Sequence, residues 1–138
     1  MTLFVHEVLT KVNAKRNKQD KIDLLQSNES WVLKDVLRGT YDESVVWSLP
    51  KGNVPYNPSK DFNAPLLLSK EHKNFHYFAD IPRNKDMNPV KREHMFLRIL
   101  EGVHPDDATL LVNMINKKPF DGVTKKVVEE AFPGLILR

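Results

Sequence analysis

Residues 105–132, PDDATLLVNMINKKPFDGVTKKVVEEAF, contain the clearest fold signal in the chain. Pro105 followed by two aspartates is typical of a helix start, because proline fits the first helical turn and carboxylates stabilise the positive end of the helix dipole. Apolar residues then recur at helical spacing up to Ile115, and a second helix is predicted from about Thr124 to Phe132. The stretch therefore predicts two amphipathic helices joined by a lysine-rich connection.

Helical spacing of apolar residues continues toward the N-terminus. Two helices are predicted before residue 28, and a third is predicted to be capped by Asn28 and to end at Gly39. A further helix is bounded by Pro89 and Gly102. Six large apolar side chains on these helices are assigned to the core. They are Trp31, Leu37, Phe96, Leu111, Val128 and Phe132.

The middle of the chain lacks this regularity. Residues 41–47 predict a short helix or a turn, and residues 66–78 fit the helix and strand patterns equally poorly. Residues 48–65 contain four prolines and a glycine, which predicts an exposed irregular loop. The fold class is therefore predicted to be all-α, with residues 1–138 forming one compact multi-helix domain around this loop.

Composition sets limits on function. The net charge of +3 and the pI near 9.1 are modest, so a polyanionic partner must be inferred from local clusters of cations. The chain contains no cysteine, which excludes disulfide frameworks and cysteine zinc sites and fits a reducing compartment. No segment has the length or apolarity of a signal peptide or a membrane span, so we expect a cytoplasmic location.

The lysines around the start of the last predicted helix form the main candidate binding site. A helix N-terminus is positive, so lysines there oppose the dipole by a few tenths of a kcal/mol unless an anion such as phosphate is bound. A glycine in this stretch would permit close backbone approach. The candidates are Lys117, Lys118, Gly122, Thr124, Lys125 and Lys126, extended by Lys15, Arg16 and Lys18.

Simpler interpretations exist for the other basic clusters. The run that contains Lys15 could be a solvated helix surface. For the cluster between Arg83 and Arg98, ion pairing within its own helix explains the charges without an external partner.

No catalytic or cofactor motif is present in the sequence: it has no Walker loop, no dinucleotide-binding glycine turn and no nucleophilic serine in a glycine-flanked elbow. His72 and His76 could share a metal ion only on a helix. An interfacial cluster of His76, Tyr77 and Phe78 is the simpler interpretation. Asp106 and Asp107 are interpreted as helix-capping residues. We therefore expect no catalytic residue, no metal and no cofactor.

Both ends of the chain resemble one family. Residues 3–52, LFVHEVLTKVNAKRNKQDKIDLLQSNESWVLKDVLRGTYDESVVWSLPKG, resemble the opening of the T-even phage type of ATP-dependent DNA ligase. Residues 116–136, NKKPFDGVTKKVVEEAFPGLI, are similar to the end of the N-terminal DNA-binding domain of that ligase, with Lys117, Gly122 and the ending from Phe132 at matching intervals. The chain also resembles small uncharacterised proteins of tailed phages that have the same ending.

The resemblance implies an all-helical domain of the kind that grips duplex DNA in ligases. Ligases are adenylated on the lysine of a Lys-x-Asp-Gly motif, whereas the segment from Lys118 to Gly122 has one residue too many. The resemblance therefore implies a non-enzymatic phage accessory protein of replication, repair or late transcription, acting in the cytoplasm of the infected cell. We expect it to bind duplex DNA in preference to single strands, through phosphates and with little sequence preference.

Two other functions remain open. The domain could be a protein-interaction module that docks on a replication or transcription protein such as a sliding clamp, with the apolar tail from Phe132 to Leu137 as its docking peptide. It could also be a minor structural protein of the virion.

Overall fold

Helices account for the regular structure of the protein. The computed structural model describes residues 3–52, 54–59 and 64–138. The α-helices in these ranges are α1 (Val5–Asn13), α2 (Lys18–Ser27), α3 (Trp31–Tyr41), α4 (Leu68–Glu71), α5 (Pro89–Gly102), α6 (Pro105–Ile115) and α7 (Lys125–Ala131). Strand-like pairing within them is limited to a bridge between Trp47 and Ala79. The predicted all-α class is confirmed.

The start of α3 differs from the prediction. The hydroxyl of Ser30 accepts the backbone N–H of Leu33 at 3.2 Å, so Ser30 is the N-cap and the predicted cap at Asn28 is wrong. The Asn28 amide instead donates to the Leu24 carbonyl at 2.9 Å. Asn28 therefore closes α2.

The end of α3 also differs, because the helix continues through Gly39 to Tyr41. A Cβ atom at Gly39 would lie 2.6 Å from the Trp47 ring and 2.8 Å from the Met114 sulfur. The glycine is therefore explained by close packing of α3 against α6 and the Trp47 ring, and the predicted helix end at Gly39 is wrong.

The middle of the chain is irregular, as predicted. After α3 the chain turns, so residues 41–47 contain no further helix. Residues 48–52, 54–59 and 64–65 contain no helix, while residues 53 and 60–63 of the predicted loop lie outside the described residues. Leu49 is nevertheless buried, and Tyr56 packs against the core. The loop is therefore only partly exposed.

The segment that the sequence left open is helical. α4 passes directly into a 3-10 helix, His72–Phe78, and a second short 3-10 helix follows at Pro82–Asn84. Phe78 is fully buried and contacts the Phe96 ring edge-on, with 5.3 Å between the centroids. A 3-10 helix has three residues per turn, so its buried residues follow neither the α-helical nor the strand spacing.

One hydrophobic core joins the helices, with α6 packed against α3 and α5, and α7 packed against α2. Five of the six predicted core residues are buried. Trp31 is the exception, because 76% of it is exposed. It is the first residue of α3 and lies beside the buried face of Val32 and Leu33, and the Lys34 ammonium lies 5.1 Å from its ring centroid. Its assignment to the core is wrong.

The basic cluster between Arg83 and Arg98 is used inside the fold. Arg92 is buried and its guanidinium donates to the carbonyls of Tyr77, Ser48 and Asn84. Arg98 pairs with Glu71 of α4 at 3.1 Å. The predicted pairing within one helix is therefore wrong for both arginines. In the described ranges, no helix combines the length and apolarity needed to cross a bilayer.

Candidate nucleic-acid interface

Lys117 is a structural residue. Its ammonium donates to the carbonyls of Gly39 at 2.7 Å and Asp42 at 2.8 Å, at the end of α3. Burial lowers the pKa of Lys117, an effect that the Asp42 carboxylate partly offsets. Its φ of 56° lies in the left-handed region, so the chain adopts a strained conformation to deliver this side chain. Because two of its three ammonium donors are engaged internally, the position of Lys117 is explained by the fold without a phosphate.

Asp42 organises the same corner of the molecule. Burial alone would raise its pKa, but the Ser44 hydroxyl and the backbone amides of Leu137, Ser44 and Arg138 donate to the carboxylate and lower its pKa to about 2. The amide of Leu137 lies 3.0 Å from one carboxylate oxygen. The apolar tail is therefore held against its own domain.

The start of α7 also differs from a phosphate-binding helix terminus. The hydroxyl of Thr124 accepts the Val127 amide at 3.2 Å, which makes Thr124 the N-cap. The Lys125 ammonium donates to the carbonyl of Arg138 at 2.7 Å. α7 has only seven residues, and its start is already capped. Thr124 and Lys125 are therefore explained by the fold itself.

Four of the predicted residues line one cavity of about 800 Å³ between the end of α3 and the 117–125 segment. They are Lys117, Gly122, Thr124 and Lys125. Lys51 adds a cation, but Glu43 and Asp121 add carboxylates to the same wall. Tyr41 also lines it, and burial raises the pKa of its hydroxyl to about 12. The wall therefore carries mixed charges, and two of its three ammonium groups, those of Lys117 and Lys125, are bonded to main-chain oxygens of the protein itself.

Gly122 joins the two ends of the sequence. It has a φ of 74°, and a Cβ atom there would lie 2.9 Å from the Cα of Asn13. The Lys21 ammonium donates to the Gly122 carbonyl at 2.7 Å. The glycine therefore permits a close approach of the protein's own α1–α2 region, and the predicted approach of a ligand stays a prediction.

This contact gathers free cations from two distant segments. Lys15 and Arg16 follow Asn13 in the exposed turn between α1 and α2. Lys118 is exposed and lines the same groove as Asn13. None of the three cations has a carboxylate partner among the described residues. We call Lys15, Arg16 and Lys118 the basic edge.

The two remaining predicted cations differ from each other. Lys18 forms an ion pair with Glu130 of α7 at 2.5 Å, so its charge is already matched. Lys126 is exposed on α7, and its ammonium has no partner in the described part of the chain. Lys126 is therefore an exposed cation on α7, whereas Lys18 links α2 to α7.

A second polar cluster was missed at the start of α1 and α6. The buried Asp107 carboxylate accepts the backbone N–H of His6 at 3.1 Å and faces His6 Nδ1 at 2.8 Å. Nδ1 of His104 accepts the Asp106 amide at 3.1 Å, so His104 caps α6. The N-cap is therefore His104 and neither aspartate, but both aspartates lie in the first turn of α6, as predicted. No local pattern could reveal a contact between residues 101 positions apart.

Ligand atoms of His6, His104 and Asp106 lie within 4.8 Å of one another. The two imidazole rings stack with 4.3 Å between centroids and 23° between planes. A metal ion lies in the plane of each imidazole that binds it, and stacked planes do not meet at one ion. The cluster is therefore explained as a clamp between α1 and α6.

His72 and His76 also act separately. Nδ1 of the buried His72 faces Asp35 of α3, while Nδ1 of the exposed His76 faces the Lys73 carbonyl at 2.8 Å. His72 therefore ties the 3-10 helix to α3. Of the predicted interfacial cluster, His76 and Tyr77 lie at the surface, whereas Phe78 is fully buried and its assignment there is wrong.

Comparison with known proteins gives a family but no activity. No curated protein matches the chain. Residues 8–120 match the family described as a family of unknown function, DUF6433. This match spans α1 to α6 and the segment that carries Lys118, so the chain belongs to the DUF6433 family.

Proposed function

We propose that the protein is a non-enzymatic nucleic-acid-binding protein that contacts the phosphate backbone of DNA. The basic edge is the observation that carries this proposal. Its three cations come from distant segments, are exposed and have no carboxylate partner among the described residues. Cations that the fold leaves unused are available to displace counterions from a polyanion.

Duplex DNA is the expected partner, with little sequence preference. Phosphate contacts position a protein on nucleic acid but do not read its sequence. The resemblance of residues 3–52 and 116–136 to the T-even ligase DNA-binding domain also supports a duplex. On the same basis, we propose an accessory role in phage replication, repair or late transcription, in the cytoplasm of the infected cell.

The test is a titration of fluorescein-labelled 20-base-pair DNA at several salt concentrations. The triple variant Lys15→Glu, Arg16→Glu, Lys118→Glu should lose most of its affinity, and the slope of log K against log salt should fall by about 3. A matched control is Lys70→Glu, Arg83→Glu, Lys85→Glu, which changes three other exposed cations without carboxylate partners among the described residues.

The control has the same net charge as the test variant, so it separates a local site from overall charge. Retained binding in the control and loss in the test variant would support the basic edge. Equal loss of affinity in both variants would show that binding depends on the net charge of the protein and not on the basic edge. Absence of wild-type binding at low salt would overturn the proposal.

The exposed Trp31 favours a second candidate function, a protein-interaction module for a replication or transcription protein such as a sliding clamp. Large exposed aromatic side chains are typical anchors of protein interfaces. The tail is a poorer candidate, because its backbone is bound to Asp42. Titration of a purified clamp, followed by tryptophan fluorescence, should give a saturable signal that Trp31→Phe abolishes. A signal retained in that variant would exclude Trp31 as the anchor.

A further inference from the structure

A polar groove of about 300 Å³ runs between α1 and α6, beside the basic edge. At one end, His6 and Asp107 clamp the two helices. At the other end, Lys118 lines the groove, and its amide donates to the Asn113 carbonyl at 2.9 Å. The walls between them carry threonines and asparagines from both helices. These are Thr10, Asn13, Thr109 and Asn113.

The two asparagine side-chain amides form no hydrogen bond within the described part of the fold. Thr10 and Thr109 donate their hydroxyls to carbonyls of their own helices, His6 at 2.7 Å and Pro105 at 3.2 Å. The side-chain amides of Asn13 and Asn113, in contrast, have no hydrogen-bond partner among the described residues. Each amide offers two donors and one acceptor. The Asn13 side chain packs against Gly122, but neither amide forms a hydrogen bond there, so the donors and acceptors of both remain available to a ligand.

The charges of the groove determine what it can bind. Lys118 contributes one cation, while Asp106 and Asp121 contribute two carboxylates. A phosphate inside the groove would face a net negative wall. Uncharged donors and acceptors, such as base edges and sugar oxygens, would instead find amides and carboxylates that match them.

The groove is continuous with the basic edge, because Lys118 belongs to both and Asn13 precedes Lys15 by two residues. We propose that a nucleic-acid strand held at the basic edge inserts its base edges and sugar oxygens into the α1–α6 groove, where Asn13 and Asn113 hydrogen-bond them. This inference rests on the proposed function and adds the contacts that do not depend on charge.

Salt dependence distinguishes these contacts from phosphate contacts. Loss of a phosphate contact lowers both the affinity and the salt slope, whereas loss of a neutral hydrogen bond lowers the affinity alone. The double variant Asn13→Ala, Asn113→Ala should bind the labelled 20-base-pair DNA about tenfold more weakly, with an unchanged slope. Both substitutions increase helix propensity, so the variant should fold.

Asn57→Ala, Asn74→Ala is the matched control, since both side chains lie outside the groove and have no hydrogen-bond partner in the described ranges. A second control, Thr10→Val, Thr109→Val, keeps the shape of the walls and should retain wild-type affinity, because both hydroxyls donate within their own helices. Wild-type affinity of Asn13→Ala, Asn113→Ala would overturn the inference while the basic edge stands. Absence of wild-type binding would overturn the proposed function itself.

Discussion

Lys117 and the basic edge show two opposite uses of the same side-chain chemistry. The Lys117 ammonium is half-buried and bonded to two main-chain carbonyls, whereas Lys15, Arg16 and Lys118 are exposed and have no carboxylate partner among the described residues. Lys117 and Lys118 are neighbours in sequence. A cation that closes a helix end stabilises the fold, and a cation left in solvent is available to a ligand, so density of lysines alone does not define a binding site.

Replacement of Lys117 should give the largest effect on stability. Lys117→Met keeps the length of the side chain but removes the donors to Gly39 and Asp42. Hydrogen bonds from a charged donor are the stronger class, so we expect a loss of about 3 kcal/mol, or roughly 10 °C in Tm. Urea and thermal unfolding measure it. Lys118→Met is the control, and equal stability of the two variants would contradict the distinction.

The Asp42 carboxylate should give the next largest effect, and it should depend on pH. Its folded pKa of about 2 lies below its ordinary value of 3.8. The carboxylate therefore stabilises the fold above about pH 4, and this contribution of about 2 kcal/mol is lost as the pH falls to about 2.

Free energies of unfolding measured across this pH window should fall less for Asp42→Asn than for the wild type. Asp80→Asn, which changes an exposed carboxylate with no partner in the described part of the chain, should retain the wild-type profile. An identical pH profile for Asp42→Asn and the wild type would show that, in solution, the carboxylate does not bind the tail to the domain.

The junction between the two regions should show a smaller effect. Gly122→Ala forces a residue with a side chain into the left-handed region, which costs about 1 to 2 kcal/mol, and directs its Cβ toward the Asn13 backbone. We expect lower stability and, because the junction aligns Lys118 with the α1–α2 turn, weaker DNA binding. Gly134→Ala is the control, since its φ of 85° is similar but its Cβ would meet no atom within 4 Å. Equal effects of both substitutions would mean that the Asn13 contact is unimportant.

Sequence patterns predicted the helices better than the site. Proline, glycine and apolar spacing defined α5, α6 and α7, because these signals act within a few residues. Gly39 misled the prediction because a glycine that ends a helix and a glycine that admits Trp47 look alike in sequence. Trp31 misled it because a large apolar residue was assigned to the core although it lies off the buried stripe of Val32, Leu33, Val36 and Leu37.

The candidate site was predicted only in part, for the same physical reason. Nothing local distinguishes Lys117, whose acceptors are the carbonyls of Gly39 and Asp42, from Lys118, whose ammonium has no acceptor among the described residues. The unused amides of Asn13 and Asn113 also gave no signal, since an isolated asparagine on an amphipathic helix is ordinary. Their role depends on the approach of α1 to α6 and to Gly122, which only the folded structure displays.

The smallest effect on stability should come from the basic edge. Lys15→Ala, Arg16→Ala removes two exposed cations without carboxylate partners among the described residues, and surface changes of this kind stay within about 0.5 kcal/mol. Removing like charges from one turn can even stabilise it slightly. The same variant should lower the salt slope of DNA binding by about 2. If removal of a cation lowers the stability of the protein, that cation has a partner inside the fold. Measurements of unfolding and of DNA binding on the same variant therefore show whether each cation serves the fold or the ligand.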